Sequence, residues 1–507
     1  MGFNPTARIK LSDNTTVDLS YEYADHERFI DRGIPSGDDL RPASELDNIT
    51  FADPAQNFTT LEAHLFRASV EHKFSDSLKG NFSAFYGDYD KVYSNFFPTD
   101  FNEANNLVEL DGYIDTTERQ NIILSSNLVS EFNTGSIGHT LIFGGEYIDT
   151  SSDQDRLNSV FASNGDDQAF FDISRPLDFN NGVGTVFTPI TSATGDVIGF
   201  NQEATTNSFT DVNDNTQTDI QVSSLYIQDQ IALSEKLDVV VGLRYDRFDI
   251  DVVDLANNNA ETSNVDSEVS PRFGLIYKPE ENVSLYASYS ESFLPRSGEQ
   301  FANIGDTNEF TGDTLDPDEF QNLEIGVKWD INPKLSITAA AFENEQTTPE
   351  VDGSDPSGAT LIIEETTVAG FEFQVNGQIT DAWSLSANYS ALDGEFEDGS
   401  TPREIPDNAF SVWNTFQVNS KFGLGLGVTY QDATFTSNSS ADESERVTLP
   451  SYSRFDASAY YNVSDKLRVL LNVENLTDTE YFPSSHTDNN ITVGAPINAQ
   501  ISLVGKF

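Results

Sequence analysis

The feature of this sequence that most constrains its fold is a two-residue alternation of apolar and polar side chains. Val17, Leu19 and Tyr21 alternate with Asp18 and Ser20. A period of two gives a β-strand one apolar and one polar face, as a strand between two environments requires. The same alternation returns at 239–246, 422–430 and 467–474, whereas helical periodicity is scarce. The sequence therefore predicts an all-β chain.

The turns between these strands are of two sizes. Short turns rich in turn-forming residues lie at 12–15, 75–78, 133–136, 234–236, 279–282, 332–334, 380–382, 419–421 and 464–466. Long polar loops are expected at 30–57, 94–106, 151–216, 251–265, 294–314, 346–359, 394–407, 433–448 and 477–495. Short turns at one end and long loops at the other are typical of a transmembrane antiparallel β-barrel, with the short turns on the periplasmic side.

Counting strands from these turns gives nine hairpins and a final strand over 497–507, about 19 strands in all. Single-chain bacterial barrels have an even number of strands. We therefore expect one β-barrel domain over residues 1–507 that is incomplete at its N-terminus. If the parent barrel has about 22 strands, about three are missing.

Composition narrows the alternatives. The formal net charge is −56, and the clusters of Lys and Arg that bind phosphates are absent, which argues against a nucleic-acid-binding protein. The chain has no cysteine, so it forms neither disulfides nor thiolate metal sites. Its 37 Phe, 18 Tyr and 3 Trp are too many for a disordered tail. No apolar stretch approaches the ~18 residues of a membrane helix, and the first residues show neither the basic start nor the apolar run expected of a signal peptide. If the protein is exported, we expect its signal peptide to belong to an N-terminal part that this sequence does not include.

A soluble all-β protein, such as a propeller or a chain of sandwiches, would also alternate. Propeller blades repeat at a fixed period of about 40 to 50 residues, and the irregular loop lengths here argue against one.

Several segments resemble a known family when taken in order. They are Asp31–Ser36 (DRGIPS), Phe143–Tyr147 (FGGEY), Leu225–Ile231 (LYIQDQI), Val241–Asp246 (VGLRYD), Pro271–Gly274 (PRFG), Leu285–Pro295 (LYASYSESFLP), Leu315–Lys328 (LDPDEFQNLEIGVK) and Val473–Tyr481 (VENLTDTEY) with the terminal Phe507. Together they resemble the TonB-dependent outer-membrane receptors, and specifically their siderophore branch.

The resemblance implies a 22-stranded barrel occluded by an N-terminal plug that carries the TonB box, and neither plug nor box is expected here. It implies a receptor and transporter for a ferric siderophore in the outer membrane of a Gram-negative-type bacterium, with no enzymatic activity and no cofactor. The implied partners are the ferric siderophore, TonB through the missing plug, outer-membrane lipid and the barrel assembly machinery. The implied oligomeric state is a monomer. The alternatives are a passive diffusion channel and a soluble all-β binding or adhesion protein.

The expected long loop at 151–216 supplies the candidate ligand-binding residues. It holds ten acidic residues against two basic ones, and its aromatic side chains include Phe161, Phe170, Phe171, Phe179 and Phe187. These rings are candidates for ligand contact, with packing of a folded loop as the alternative. The acidic residues of this loop could give the barrel a negative mouth that repels anionic complexes and favours neutral or cationic ligands. The alternative is that they only keep the outer surface of the loop solvated.

Other candidate residues carry structural roles. In the family a terminal aromatic residue is the assembly signal, and Phe507 is expected to have this role. Arg244, Asp246, Arg468 and Glu474 fall on the lumen phase of their strands, where ion pairs or plug contacts are expected rather than catalysis. No metal site is expected, because the segment 211–222 lacks the Gly and Glu of an EF-hand loop and the five histidines are dispersed.

Overall fold

The computed structural model describes residues 1–52, 56–161, 164–173, 184–191, 197–205, 207–256, 258–295, 317–351, 361–438, 440 and 442–506. These residues are mostly β-strand, with short 3-10 helices at Ser44–Leu46, Glu103–Asn105 and Glu443–Glu445. None of the helices in the described ranges has the length and apolar character needed to cross a membrane.

Nineteen strands form the main sheet within the described ranges. They are β2 (Thr6–Ser12), β3 (Thr15–Phe29), β4 (Phe58–Ser75), β5 (Leu78–Asn102), β6 (Leu107–Thr134), β7 (Ile137–Phe161), β11 (Asn207–Ser234), β12 (Leu237–Asp254), β13 (Ala260–Glu280), β14 (Val283–Leu294), β15 (Asp318–Asn332), β16 (Leu335–Val351), β17 (Leu361–Thr380), β18 (Trp383–Phe396), β19 (Asn408–Gln417), β20 (Phe422–Gln431), β23 (Tyr452–Ser464), β24 (Leu467–Glu474) and β25 (Asn498–Gly505).

Shorter strands lie at the N-terminus and in the loops. They are β1 (Gly2–Phe3), β8 (Ala169–Asp172), β9 (Gly184–Thr191), β10 (Val197–Thr205), β21 (Thr434–Phe435) and β22 (Thr448–Leu449). β8 pairs with β6 and β9, and β9 pairs with β10, so that these three strands extend the main sheet beyond β6 and β7. β21 and β22 form a separate two-stranded ribbon.

Each main strand pairs antiparallel with its neighbours in sequence order. All nine predicted short turns connect consecutive strands, which confirms the hairpin assignment. Among the described residues, β2 pairs only with β3 and β25 only with β24. The predicted first and last strands therefore lie at the two edges of the sheet.

The two faces of the sheet differ as the alternation predicts. Val241, Leu243 and Tyr245 lie on the outer face, where they are 45%, 51% and 41% exposed. Arg244 and Asp246 alternate with these residues and lie on the inner face, the lumen side. Exposed apolar side chains on one face and charged ones on the other are the arrangement of a barrel wall between lipid and water.

Four predicted loop boundaries are wrong, because the strands continue well past the alternating segments. β5 runs through most of 94–106, β7 and β11 enter 151–216 from both sides, β12 and β13 fill much of 251–265, and β16 extends into 346–359 as far as Val351. Far from the short turns a strand no longer faces lipid on its outer side. The alternation then fades while the backbone pairing continues.

The long-loop end contains a packed apolar cluster, which we call the cap core. Its buried members are Ile34, Ala43, Leu46, Phe51, Phe96, Phe101, Val108, Leu110, Phe161, Ala169, Phe171, Val447, Leu449, Phe482 and Ile491. These residues come from the β3–β4 loop, the β5–β6 hairpin, the β7–β8 region, the segment around β22 and the β24–β25 loop. These loops thus form one packed layer rather than separate solvated excursions.

Candidate functional site

The candidate site lies below the cap core, on the lumen face of the long strands. β5 and β6 are paired so that Asn95 faces Tyr113 and Tyr93 faces Asp115. On this face the rings of Tyr93 and Tyr113 stack with centroids 6.1 Å apart, and Phe97 meets Tyr113 edge-on at 5.7 Å. All three rings are half-buried, so part of each faces the lumen. We call Tyr93, Phe97 and Tyr113 the mouth aromatics.

Arg32, in the β3–β4 loop, holds the mouth aromatics against the last long loop. One guanidinium nitrogen donates to the Tyr113 hydroxyl at 2.9 Å, and the guanidinium carbon lies 5.0 Å from the centre of the Phe97 ring. The other nitrogen donates to His486 Nδ1 at 3.1 Å and to Asn490 Oδ1 at 3.2 Å. A planar guanidinium suits this role, since it offers several donors and a face that stacks on rings.

Arg156, from β7, borders the mouth aromatics on the other side. Its guanidinium carbon lies 4.4 Å from the centre of the Tyr113 ring, and it donates to both oxygens of Asp115 at 2.6 and 2.9 Å. The register places Asp214 of β11 beside Arg156 on the next strand. Burial raises the pKa of Asp214 to about 6, and the neighbouring Asp254 carboxylate adds to the rise.

The last long loop, residues 476–497, reaches across to the first loops, and we call it the strap. Ile34 and Ile491 exchange backbone hydrogen bonds of 2.9 Å in both directions. Asn490, which is 2% exposed, donates its side-chain amide to the carbonyl oxygen of Pro98 at 2.9 Å. These contacts join residues more than 390 positions apart in the sequence.

His486 in the strap accepts from Arg32, which can only donate, so Nδ1 carries no proton in this arrangement. Burial lowers the pKa of His486, and the nearby Arg32 and Arg403 guanidinium groups lower it further against an opposing effect of Glu404. A histidine whose pKa is depressed by folding stabilises the folded state above its unfolded pKa. That contribution is lost as the pH falls through about 6.5 towards the lower folded value.

Another arginine, which is buried, joins loops elsewhere in the cap. Arg446 is 2% exposed and donates to the carbonyl oxygens of Ser437 at 2.8 Å and Thr401 at 2.6 Å. Its guanidinium carbon lies 4.1 Å from the centre of the Phe435 ring. The loops after β18 and around β21 are thereby tied to one another.

The loop phenylalanines singled out from the sequence lie in different places. Phe161, Phe170 and Phe171 are 0%, 7% and 3% exposed, and the rings of Phe161 and Phe171 meet edge-on at 5.6 Å. Phe187 belongs to β9, opposite Phe170, while Phe179 and Phe507 lie outside the described residues. Packing in the cap is what the structure shows for the first three, and ligand contact stays a prediction.

The predicted lumen charges are partly paired. Arg244 contacts Asp246 at 2.8 Å and Glu146 at 3.2 Å, which confirms the expected ion pairs there. Arg468 instead donates to Asn462 at 2.8 Å and lies 4.7 Å from the Tyr460 ring centre, and Glu474 accepts from Asn498. In the described ranges no group of three or more His, Asp or Glu side chains is placed to hold a metal ion.

Sequence reasoning missed the mouth aromatics and the residues around them. Arg32 stood inside the Asp31–Ser36 motif, but nothing in the sequence indicated its partners. Those partners are 63 to 458 positions away, so only the folded register brings them together.

Residues 2–476 match the family described as "TonB dependent receptor-like, beta-barrel". The chain is 28% identical to the probable TonB-dependent siderophore receptor PiuA of Acinetobacter baumannii, over 100% of this chain and 70% of that protein. It is 25% identical to the metal-pseudopaline receptor CntO of Pseudomonas aeruginosa, over 99% of this chain and 67% of the relative.

A solved structure supports the same relationship. The crystal structure of PiuA from A. baumannii superimposes with a TM-score of 0.82 at 27% identity, covering 100% of this chain and 74% of PiuA. The family match and this similarity both extend over nearly all of the chain. The chain belongs to the TonB-dependent receptors, and its strands form their β-barrel.

Proposed function

We propose that this chain is the barrel of an outer-membrane receptor that takes up a ferric siderophore, energised through TonB. The observation that carries the proposal is a cap of packed loops over a lumen mouth lined by aromatic and guanidinium groups. Relatives named as siderophore and ferric-complex receptors support it. The family comprises receptors and transporters of the Gram-negative outer membrane, not enzymes.

The mouth aromatics are the groups that we expect to contact the ligand. Three half-buried rings give a large apolar contact area at low cost in side-chain entropy. Arg32 and Arg156 keep the rings in place, because each guanidinium is anchored by hydrogen bonds while its face lies against a ring. Both guanidinium groups already form hydrogen bonds to protein side chains. We therefore expect the shape of the site and contact with its rings to contribute more to ligand binding than its net charge.

Uptake measurements test the proposal. A strain lacking the gene is complemented with the wild-type gene, with Arg32→Met or with Arg247→Met, and iron uptake is followed with radiolabelled ferrioxamine B, ferrichrome and a pyoverdine. Arg247 is the matched control, because its partner Asp249 lies on the same strand and both side chains are over 40% exposed. Arg32→Met should lower uptake at least fivefold, and Arg247→Met should not.

The results also separate receptor from pore. Uptake that remains when TonB is absent would contradict energised transport. Equal uptake of all labelled compounds, with no saturation, would identify a diffusion channel. Unchanged uptake with Arg32→Met at equal surface expression would remove the mouth aromatics from the binding site.

A further inference from the structure

Acidic and basic side chains occupy opposite faces of the first long strands. Four of these strands carry a carboxylate followed directly by a cation, and successive side chains of a strand point to opposite faces. The four pairs are Glu27 and Arg28 on β3, Asp90 and Lys91 on β5, Glu118 and Arg119 on β6, and Asp155 and Arg156 on β7.

The phase of β6 shows which of the two charges faces the lumen. Glu118 is in phase with Ile122 and Leu124, outer-face residues that are 43% and 48% exposed. Arg119 is in phase with Tyr113, one of the mouth aromatics. The register is unbroken at this level from β3 to β7, so the same assignment holds for the other three pairs. The carboxylates point outward and the cations point into the lumen.

This separation of charge makes the lumen side of β3–β7 more basic than the composition of the chain implies. The sequence has 83 Asp and Glu against 27 Lys and Arg. The acidity expected at the mouth therefore lies, on these strands, on the side away from the lumen. Charges of one sign that line a cleft reinforce one another and attract ligands of the opposite sign.

Carboxylates that share the lumen face do not cancel this positive charge. Asp115 accepts from Arg156 at 2.6 and 2.9 Å, so the two charges offset each other. Asp214 lies beside Arg156 on the far side of β7, and burial disfavours its charge by raising its pKa to about 6. Asp111 lies four residues further along β6 than Asp115, towards the cap.

Arg28 and Lys91 offer charges that the protein itself does not use. Both side chains are exposed, and among the described residues neither has a hydrogen bond or an ion pair. Lys91 Nζ lies 5.7 Å from the centre of the Tyr93 ring. In the register Arg28 faces Thr59, which in turn faces Tyr93. The two cations thus lie on either side of one of the mouth aromatics.

Arg32 adds a third positive charge beside the same ring. It donates to Tyr113, His486 and Asn490, which carry no charge to offset its own. Burial raises the pKa of the Tyr93 hydroxyl, and Arg32 and Arg28 oppose the rise, as cations near a phenol do.

This arrangement suits a ligand whose surface presents anionic oxygen atoms. A guanidinium group binds two neighbouring oxygens through parallel N–H donors, and an ammonium group acts as a point charge. A neutral or cationic chelate would gain nothing from Arg28 and Lys91. An anionic chelate would pair with them while its flat groups lie against the rings.

We propose that Arg28 and Lys91 select ferric chelates of net negative charge, by contacting carboxylate or catecholate oxygens of the ligand. The inference rests on the proposed function and names the class of chelate that the same site takes. Contact with the mouth aromatics contributes most of the binding, and these two cations discriminate between chelates of different charge.

A series of chelates that differ in charge tests the proposal on the purified full chain. Ferrioxamine B is cationic, its N-acetyl derivative is neutral and its N-succinyl derivative is anionic, around the same iron-binding core. A ferric tris-catecholate provides a second anionic core. Binding is measured by quenching of tryptophan fluorescence. The N-succinyl chelate should bind about tenfold more tightly than ferrioxamine B at about 20 mM NaCl, and the difference should shrink at about 500 mM, where salt screens the charges.

Variants assign the preference to the two residues. Arg28→Gln and Lys91→Gln should each weaken binding of both anionic chelates about threefold, and should leave the neutral chelate unaffected. Lys91→Glu should shift the preference towards ferrioxamine B. Arg247→Gln is the matched control, because it removes the same charge from an exposed outer-face position and should change none of these affinities.

The possible failures are distinguishable. Equal binding of the three charge forms by the wild type, or tighter binding of the cationic form, overturns the charge selection and leaves the receptor function standing. If the wild type binds none of the chelates, the inference and the proposed function both fail. If a Gln variant loses the neutral chelate as well, its residue shapes the site instead of selecting charge, and the proposal fails. If a variant does not fold, the wild-type series decides.

Discussion

Alternating glycines in β20 make room for rings on the lumen face. A Cβ atom at Gly427 would lie 2.3 Å from the Trp413 ring, and one at Gly423 would lie 2.3 Å from the Tyr460 ring. Between the glycines, Leu424 and Leu426 point outward and are 37% and 52% exposed. The glycines therefore serve packing on one face while the leucines face lipid on the other.

We predict that Gly427→Ala destabilises the barrel by about 1–3 kcal/mol, because the Trp413 ring must leave its position. The measurements are the denaturant midpoint and the fluorescence maximum of the reconstituted chain. Gly274→Ala is the matched control, since its Cβ would lie at an ordinary 3.4 Å from Val240. Equal midpoints for the two variants would show that the ring shifts at no cost.

Asp111 in β6 is a carboxyl group whose environment disfavours its charge. Burial raises its pKa to about 6, and Asp166 and Asp167 add to the rise. It lies 23 residues from Thr134, the end of β6. At about 3.3 Å per residue this is well beyond the apolar band of the membrane.

We predict that Asp111→Asn stabilises the cap by about 1 kcal/mol at pH 7.5, a value reduced for the partial exposure of the group. Because folding raises this pKa, the wild type loses stability as the pH rises from about 4 to about 6. The gain should therefore disappear near pH 4, where both forms are neutral. Hydrogen exchange of 107–111 across this pH range checks it, and a gain that persists at pH 4 would contradict the electrostatic cause.

At the scale of strands and loops, the strands and short turns could be predicted from the two-residue alternation and from the turn-forming residues. All nine short turns and the nineteen main strands agree with the expectation because lipid enforces alternation near the short turns. The extensions of β5, β7 and β11 were missed, since strands above the membrane are stabilised by pairing and cap contacts that leave no simple period. The mouth aromatics were missed for a related reason: Tyr93 and Tyr113 become neighbours only through the register of β5 and β6.

The strap gives a prediction about one element. Asn490→Ala leaves the Pro98 carbonyl without its side-chain donor and removes an acceptor from Arg32, so we expect a local loss of about 1–3 kcal/mol. Hydrogen exchange over 476–497 should rise while exchange in β24 stays unchanged. Asn498→Ala is the control, because Asn498 is exposed in the edge strand β25. Equal exchange in both variants would show that the strap does not depend on Asn490.

At the scale of the whole molecule, the net charge of −56 is compatible with a membrane β-barrel, because water reaches the loops and the lumen face. We predict that refolding into vesicles containing phosphatidylglycerol is slow at about 10 mM NaCl and at least tenfold faster at about 200 mM. The Debye length falls from about 30 Å to below 10 Å over this range, which screens the repulsion between chain and membrane. Purely zwitterionic vesicles serve as the comparison, and the same salt dependence in them would exclude this cause.

The bridge between Ile34 and Ile491 also has a consequence for the order of assembly. Its two residues are separated by 457 positions, and the loops that they join supply much of the cap core. Contacts between such distant segments form late, since the chain between them must first be ordered. The cap therefore reports on completion of the chain: a nascent chain that stops before the strap has most of its hairpins but lacks the segment that closes the cap.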